Sequence, residues 1–272
     1  MENTELFKQA LGLTSPWYVK DANFDPKEKR LDLWIDFESG SIFPCPVCGQ
    51  LSKVHDTIEK EWKHLNFFQH ETFLHARVPR CKCEKDKVKM VEVPWSRPGS
   101  GFTLMFEALV LTMAKSMPVK GIANLLGITD KRAWKILEYY VEKAISKQDL
   151  SKVEEVGIDE TASRRGHSYV TLFVDMKESK VVYVTDGKDS STIKRFAEHL
   201  RAHNGNSKQI KEISSDMSPA FISGVENHFK NASITFDKFH VMKMLNKAVD
   251  DIRKKERQYE TILNGTRYGW LK

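Results

Sequence analysis

Two aspartates stand where extended apolar–polar runs end: Asp159 in VEEVGIDE and Asp216 in KEISSDMSPAF. Paired carboxylates at strand ends suit metal-dependent phosphoryl chemistry, because two neighbouring carboxylates repel unless a cation lies between them. A hard divalent ion with oxygen ligands, Mg²⁺ or Mn²⁺, is the implied partner. A second chemical group is made by the four cysteines, all of which fall between positions 45 and 83. Cys45-Pro-Val-Cys48-Gly is a C-x₂-C knuckle whose glycine lets backbone amides face the sulfurs, and Cys81-Lys-Cys83 offers the second pair. Four thiolates in a tetrahedron form a closed, structural Zn²⁺ set; His55 or His75 could replace one cysteine. The third group is VKGIANLLGITDKRAWKIL, with the small Ala123, a turn glycine at Gly127, apolar Ile128 and a capping Thr129. Such a helix-turn-helix puts the start of its second helix into the major groove of double-stranded DNA. Asp130, Lys131, Arg132 and Lys135 then face the duplex, with the basic side chains on phosphates or guanines. A plain packing hairpin is the alternative.

The elements around the acids read in a definite order. HSYVTLFVDM, a turn and KVVYVTDG are strands; a helical SSTIKRFAEHL, the strand QIKEISSD, a helical PAFISGVENHF and the strand ASITFD follow. Strand, strand, strand, helix, strand, helix, strand is the order of an RNase H-like domain. Its first and fourth strands are neighbours, so Asp159 and Asp216, 57 positions apart, point into one site. Asp237 and His240 in FDKFHV come just after the fifth strand, either lining that cleft or serving as a cap and a surface histidine. Arg164, Arg165 and His167 lie on the first strand connection, within reach of a phosphate. The expected fold class is α+β and multidomain. Residues 1–42 form a lead-in, 43–93 a small zinc-binding domain, 94–101 a Pro/Gly linker and 102–150 a helical DNA-binding domain. Residues 151–238 form the RNase H-like domain with a mixed five-stranded sheet, and 239–272 open a basic helical region.

The chain has 272 residues and a formal charge of +6. The surplus is uneven, with seven Lys or Arg against three acids between Lys115 and Lys147, which suits a polyanion. The zinc segment is basic too, carrying Lys60, Lys63, Arg77, Arg80, Lys82, Lys85, Lys87 and Lys89 with Trp62 and Phe67 interleaved. No run is long and apolar enough to span a membrane, and the N-terminus reads as neither a secretory nor a transit sequence, so a cytoplasmic location is expected.

The strings GIDETASRRGHSYVTLFVD, SSDMSPAF and FDKFHV together resemble the DDE transposases of bacterial insertion sequences, of the ISL-three type, which carry an N-terminal zinc-binding segment. The resemblance runs roughly from Phe43 onward, with several motifs in the family's order. It implies that Asp159 and Asp216 are the first two catalytic acids. The third is a glutamate placed after a helical insertion, and no residue here matches it. The expectation is therefore a C-terminally truncated chain with an incomplete active site, in which Glu226, Asp237, Asp251 and Glu256 are the available substitutes. The family reaction is Mg²⁺-dependent hydrolysis at transposon ends and strand transfer into target DNA. Terminal inverted repeats, target DNA and further copies of the chain are the implied partners, at the bacterial nucleoid. Two alternatives stand beside it: a non-catalytic zinc and helix-turn-helix DNA-binding protein, and a metal-dependent nuclease using an acid within residues 226–256.

Overall fold

The computed structural model describes residues 3–164 and 168–266, and the chain divides into two compact units, residues 1–142 and 143–272. Arg165 and His167 lie outside the described residues.

The first unit begins with α1 (Asn3–Ala10). Its six strands are β1 (Trp17–Asp25), β2 (Arg30–Phe37), β3 (Ile42–Pro44), β4 (Leu51–Phe67), β5 (His70–Cys83) and β6 (Lys87–Met90). They form one sheet in the order β1-β2-β5-β4-β3, with β6 pairing to β5. Leu31, Leu33 and Ile35 of β2 alternate with polar residues and are at most 2 % exposed, which is the period-two pattern of a sheet covered on one face. Residues 1–42 are thus not a separate lead-in: β2 runs parallel to β5, with Leu33 opposite Leu74. The alternation of WYVKDANFD breaks after Val19, where the register with β2 shifts, and this hid β1 from a pattern reading.

Residues 94–101 are likewise more than a linker. Trp95 is buried against Trp17 and Trp62, with ring centroids 5.0 and 5.5 Å away. The segment is then strapped along β4, since Lys63 donates its amide to Gly101 (3.0 Å) and its carbonyl accepts from Thr103 (3.1 Å). Thr103 caps α2 (Leu104–Ala114) by accepting from the Phe106 amide, and α3 (Val119–Leu126) and α4 (Asp130–Ile145) follow. Phe102, Phe106, Val110, Ile122 and Ile136 form the helical core. The buried Glu107 carboxylate is held by Arg97, Ser100 and Tyr140, so its charge is matched and its oxygens are satisfied. The buried Lys63 ammonium lies 2.5 Å from Glu71 and 3.4 Å from the Gly127 carbonyl, pinning the turn between α3 and α4 to the β4–β5 hairpin.

The His64 ring lies 2.8 Å from the same Thr103 hydroxyl, and burial pushes its pKa down to about 4. A histidine that stays neutral when folded is protonated first in the unfolded chain, near pH 6.5. The first unit is therefore expected to lose about 2 kcal/mol of stability as pH falls from 6.5 to 4, and His64→Gln to flatten that slope in urea titrations at several pH values.

The second unit contains β7 (Glu155–Ala162), β8 (Tyr169–Asp175), β9 (Lys180–Asp186), α5 (Ser190–Ala202), β10 (Glu212–Ser215), α6 (Pro219–His228), β11 (Ser233–Phe236) and α7 (Lys238–Glu256). This is the element order read from the sequence. The sheet order is β11-β10-β7-β8-β9; β7-β8-β9 is an antiparallel meander, and β10 is parallel to both β7 and β11. Val156, Ile158, Phe173 and Ile213 point from the sheet into a core completed by Phe196, Leu200, Phe221 and Val225 from α5 and α6. The two helices approach so closely at Gly224 that a Cβ there would lie 2.6 Å from Ile193. Leu150 and Val153 already belong to this core, which moves the unit's start ahead of the expected residue 151. No helix among the described residues is long and apolar enough to cross a membrane.

Candidate functional site

Asp159 lies on β7 among residues that alternate between the helix-covered face and the opposite face: Val156 and Ile158 are buried, and Asp159 is exposed. Glu212, Ile213 and Ser214 of β10 pair with Glu155, Val156 and Gly157, a constant offset of 57. Continued by two positions, that offset sets Asp216 beside Asp159 on the uncovered face. Adjacent strands are about 4.8 Å apart, so this register sets the two residues side by side, Asp216 just past the end of β10 and Asp159 inside β7, which runs on to Ala162 against β8 and does not end at the acid as its sequence suggested. Each aspartate spends one oxygen on a local amide, Asp159 on Glu160 (2.8 Å) and Asp216 on Ser218 at the start of α6 (3.0 Å).

Asp237 continues the row. Ser215 pairs with Phe236 on β11, and the Asp237 amide donates to the Ser215 carbonyl at 2.9 Å. Both oxygens of Asp237 are engaged, one by the Phe239 amide as the cap of α7 (2.8 Å) and the other by His240 Nδ1 (3.2 Å). The other substitute acids lie away from the strand ends. Glu226 is near the far end of α6, Asp251 stands 13 residues into α7 beside Lys254, and Glu256 closes that helix. At 1.5 Å per residue, Asp251 is about 20 Å along α7 from its start. Of the acids within 226–256, Asp237 is the one that the strand ends bring next to the pair.

The cysteine cluster differs from the expected set. The ligand atoms of Cys45, Cys48, Cys83 and Asp86 all lie within 4.8 Å of one another, and Cys81 is not among them. Cys48 Sγ is 3.5 Å from Cys83 Sγ, and Asp86 Oδ2 is 3.5 Å from Cys45 and 3.6 Å from Cys83. Bonds of about 2.3 Å to a tetrahedral zinc give ligand edges of roughly 3.8 Å, so the spacing fits that ion. Cys81 and Cys83 are two residues apart on the extended β5; the Cys81 thiol adjoins Cys45 but is not one of the four mutually close ligand atoms. Asp86 arrives instead through the turn between β5 and β6, and Cys83-Glu84-Lys85-Asp86 repeats the spacing of Cys45-Pro46-Val47-Cys48. That repeated x₂ spacing was the missed signal. Amides of Cys48 and Val47 lower the Cys45 pKa, while the Asp86 carboxylate, followed by Cys83, pushes the Cys48 thiol up to about 12. A cation among these groups relieves that repulsion. Burial raises the Cys81 thiol, which is wholly enclosed. His75 lies outside the cluster, 2.5 Å from Asp32, and His55 is also absent from it.

In the helix-turn-helix, Gly127 adopts the left-handed conformation (φ 61°) and donates to the Ala123 carbonyl; Thr129 accepts from the Arg132 amide at 3.4 Å. Ala133 and Ile136 turn inward, leaving Lys131 and Lys135 exposed on the outer side of α4. Arg132 is exposed as well, with its guanidinium 4.1 Å over the Phe102 ring. Trp134, which the sequence did not single out, is 52 % exposed beside the two lysines. In the zinc segment, Lys63 and Trp62 are buried, and Arg77 and Arg80 pair with Asp36 and Asp56, so the free basic surface there is smaller than expected.

These geometries coincide with segment-wise matches to known families. A model described as zinc-finger of transposase IS204/IS1001/IS1096/IS1165 matches residues 43–86, and one described as helix-turn-helix domain of transposase family ISL3 matches 91–141. The transposase DDE model of the same family matches 156–272. The transposase for insertion sequence element IS1557 of Mycobacterium tuberculosis is 26 % identical over 268 residues, covering 94 % of this chain and 59 % of that protein. The transposase for insertion sequence element IS1001 of Bordetella parapertussis is 24 % identical, covering 78 % of this chain and 52 % of that protein. This chain therefore spans little more than half the length of these relatives. Among solved structures, the HTLV-2 integrase catalytic core domain in complex with magnesium has 16 % identity and a TM-score of 0.25, covering 46 % of this chain and 86 % of that one; so low a score carries no argument. With a zinc finger, a helix-turn-helix and a DDE segment in the family's order, the chain belongs to the ISL3 family of insertion-sequence transposases.

Proposed function

We propose that this chain recognises the terminal inverted repeats of an insertion sequence and supplies Asp159 and Asp216 to the metal centre that cleaves those ends and joins them to target DNA. The shared 57-residue register of β7 and β10 carries the reading, because it brings two acids distant in sequence to one sheet edge. Bound there, divalent Mg²⁺ or Mn²⁺ supplies activation of a water or 3′-hydroxyl and neutralisation of the leaving oxygen. The two aspartates hold the ion and fix its position, each braced by a backbone amide. Asp237 and His240 form the wall of the cleft on the β11 side. Zinc, held by Cys45, Cys48, Cys83 and Asp86, has a structural role: the four ligands leave no open position for a substrate, and the ion ties β3 to the β5–β6 turn. Further copies of the chain, assembled on DNA at the nucleoid, complete the proposal.

DNA binding tests the first half. Lys131 and Lys135 lie on the exposed side of α4, where they meet phosphates. Changing both to alanine is expected to weaken duplex binding and to flatten the slope of log K against log salt by about 1.8, ~0.9 for each phosphate contact. Arg132→Ala is expected to leave the slope unchanged and to lower the melting temperature, because its contact is with Phe102. An unchanged slope in the double-lysine variant would show that the hairpin only packs.

A further inference from the structure

We propose that Trp134 is the base-reading side chain of α4, covering thymine methyl groups in the major groove while Lys131 and Lys135 hold the flanking phosphates. The proposal rests on the reading of the helix-turn-helix as a DNA-binding unit. Three observations lead to it.

The first is placement. Trp134 is the fifth residue of α4, about 6 Å along the helix, within the part that enters the groove. At 100° per residue it stands on the outer side, about 60° from Lys131 and 100° from Lys135. The second is exposure. Trp17, Trp62 and Trp95 are 4–7 % exposed, and Trp34 stacks on His75, whereas Trp134 is 52 % exposed. Among the described residues, no ring-stacking partner is recorded for it. A large flat apolar side chain beside a pair of exposed lysines can lie in the groove while both lysines meet the phosphates of one rim. The third is the loss of the competing reader. Arg132 is the side chain best suited to guanine, but its guanidinium is placed over Phe102, and a Cβ on Gly101 would lie 3.1 Å from it. Arg132 is exposed, but to read a base its guanidinium has to leave the Phe102 ring, which Trp134 does not have to do. The direct readout of the helix then falls on apolar contact, and the thymine C5-methyl is the apolar feature of the major groove.

Selection from a randomised duplex pool with the 272-residue chain supplies the probe. Affinities for the most enriched duplex are then measured at fixed salt, with each thymine in turn replaced by deoxyuridine, which lacks only the methyl. Covering one methyl contributes roughly fivefold in affinity. One or two such replacements are expected to weaken the unaltered chain by about that factor. Trp134→Ala is expected to bind the thymine duplex that much more weakly and to be indifferent to those same replacements. Its affinity for an unselected duplex and its salt slope should match the unaltered chain. The proposal is overturned by Trp134→Ala retaining full affinity for the selected duplex, or losing the same factor on selected and unselected DNA. Deoxyuridine replacement without effect at every position also overturns it. If no sequence is enriched, or the Lys131 and Lys135 double variant keeps the full salt slope, the DNA-binding reading itself falls and this proposal falls with it.

Discussion

Asp86→Ala is expected to strip zinc from the purified chain, and Cys81→Ala to keep it at about one ion per molecule. The contrast follows from geometry: Asp86 Oδ2 is 3.5 Å from Cys45 Sγ, while Cys81 lies outside the compact group. Because the sheet has its own apolar core, loss of the ion is expected to loosen β3 and the β5–β6 turn before it unfolds the unit. Cys83→Ser should match Asp86→Ala, with the first unit more sensitive to urea and its amides exchanging freely around β3 and the β5–β6 turn. Asp86→Cys should restore the ion, since thiolate is the softer ligand at the same x₂ spacing. Inductively coupled plasma analysis of the four variants decides the matter. Zinc lost from Cys81→Ala but retained by Asp86→Ala would return the fourth position to the C-x-C pair.

The second large effect concerns the acid pair. Asp159→Ala and Asp216→Ala are each expected to abolish Mn²⁺ binding at the sheet edge, measured by calorimetry, because a single carboxylate is left with one oxygen already committed to an amide. In protein extended to the length of the curated relatives, either change should reduce cleavage of an insertion-sequence end by on the order of 10³-fold or more. The 272-residue chain by itself is expected to bind the ion weakly and to leave DNA uncut. Two aspartates hold one divalent ion, whereas in-line displacement through two ions needs a further carboxylate. Asp237 has both oxygens engaged, and Asp251 stands far along α7. Cleavage by the 272-residue chain, stopped by Asp251→Ala or Glu256→Ala, would refute this ligand count.

Local pattern carried much of this protein. Alternation in YVTLFV, the helical SSTIKRFAEHL and the acid-terminated strands were enough for the element order of the second unit. Gly127 and Thr129 marked the turn of the helix-turn-helix, because a left-handed cap and an N-cap are demands that particular residues meet locally. The pairing of β7 with β10 was also legible, since it follows from topology once the order is known. What escaped depended on contacts between distant segments. A run such as CKCEKD contains no statement of which side chains turn inward, and only the β4–β5–β6 pairing placed Cys83 and Asp86 together and enclosed Cys81. Arg132 and Trp134 are both exposed residues on one helix, and the strapping of residues 101–103 along β4 decided which of them lies over Phe102. The sequence by itself determined the elements of the second unit, the two aspartates as candidates and the presence of a metal knuckle, all set by periodicity and short-range spacing. Only the tertiary structure decided the fourth metal ligand, the free face of α4 and the union of residues 1–42 with the zinc segment, because each depends on strand register and on packing between residues far apart in the chain.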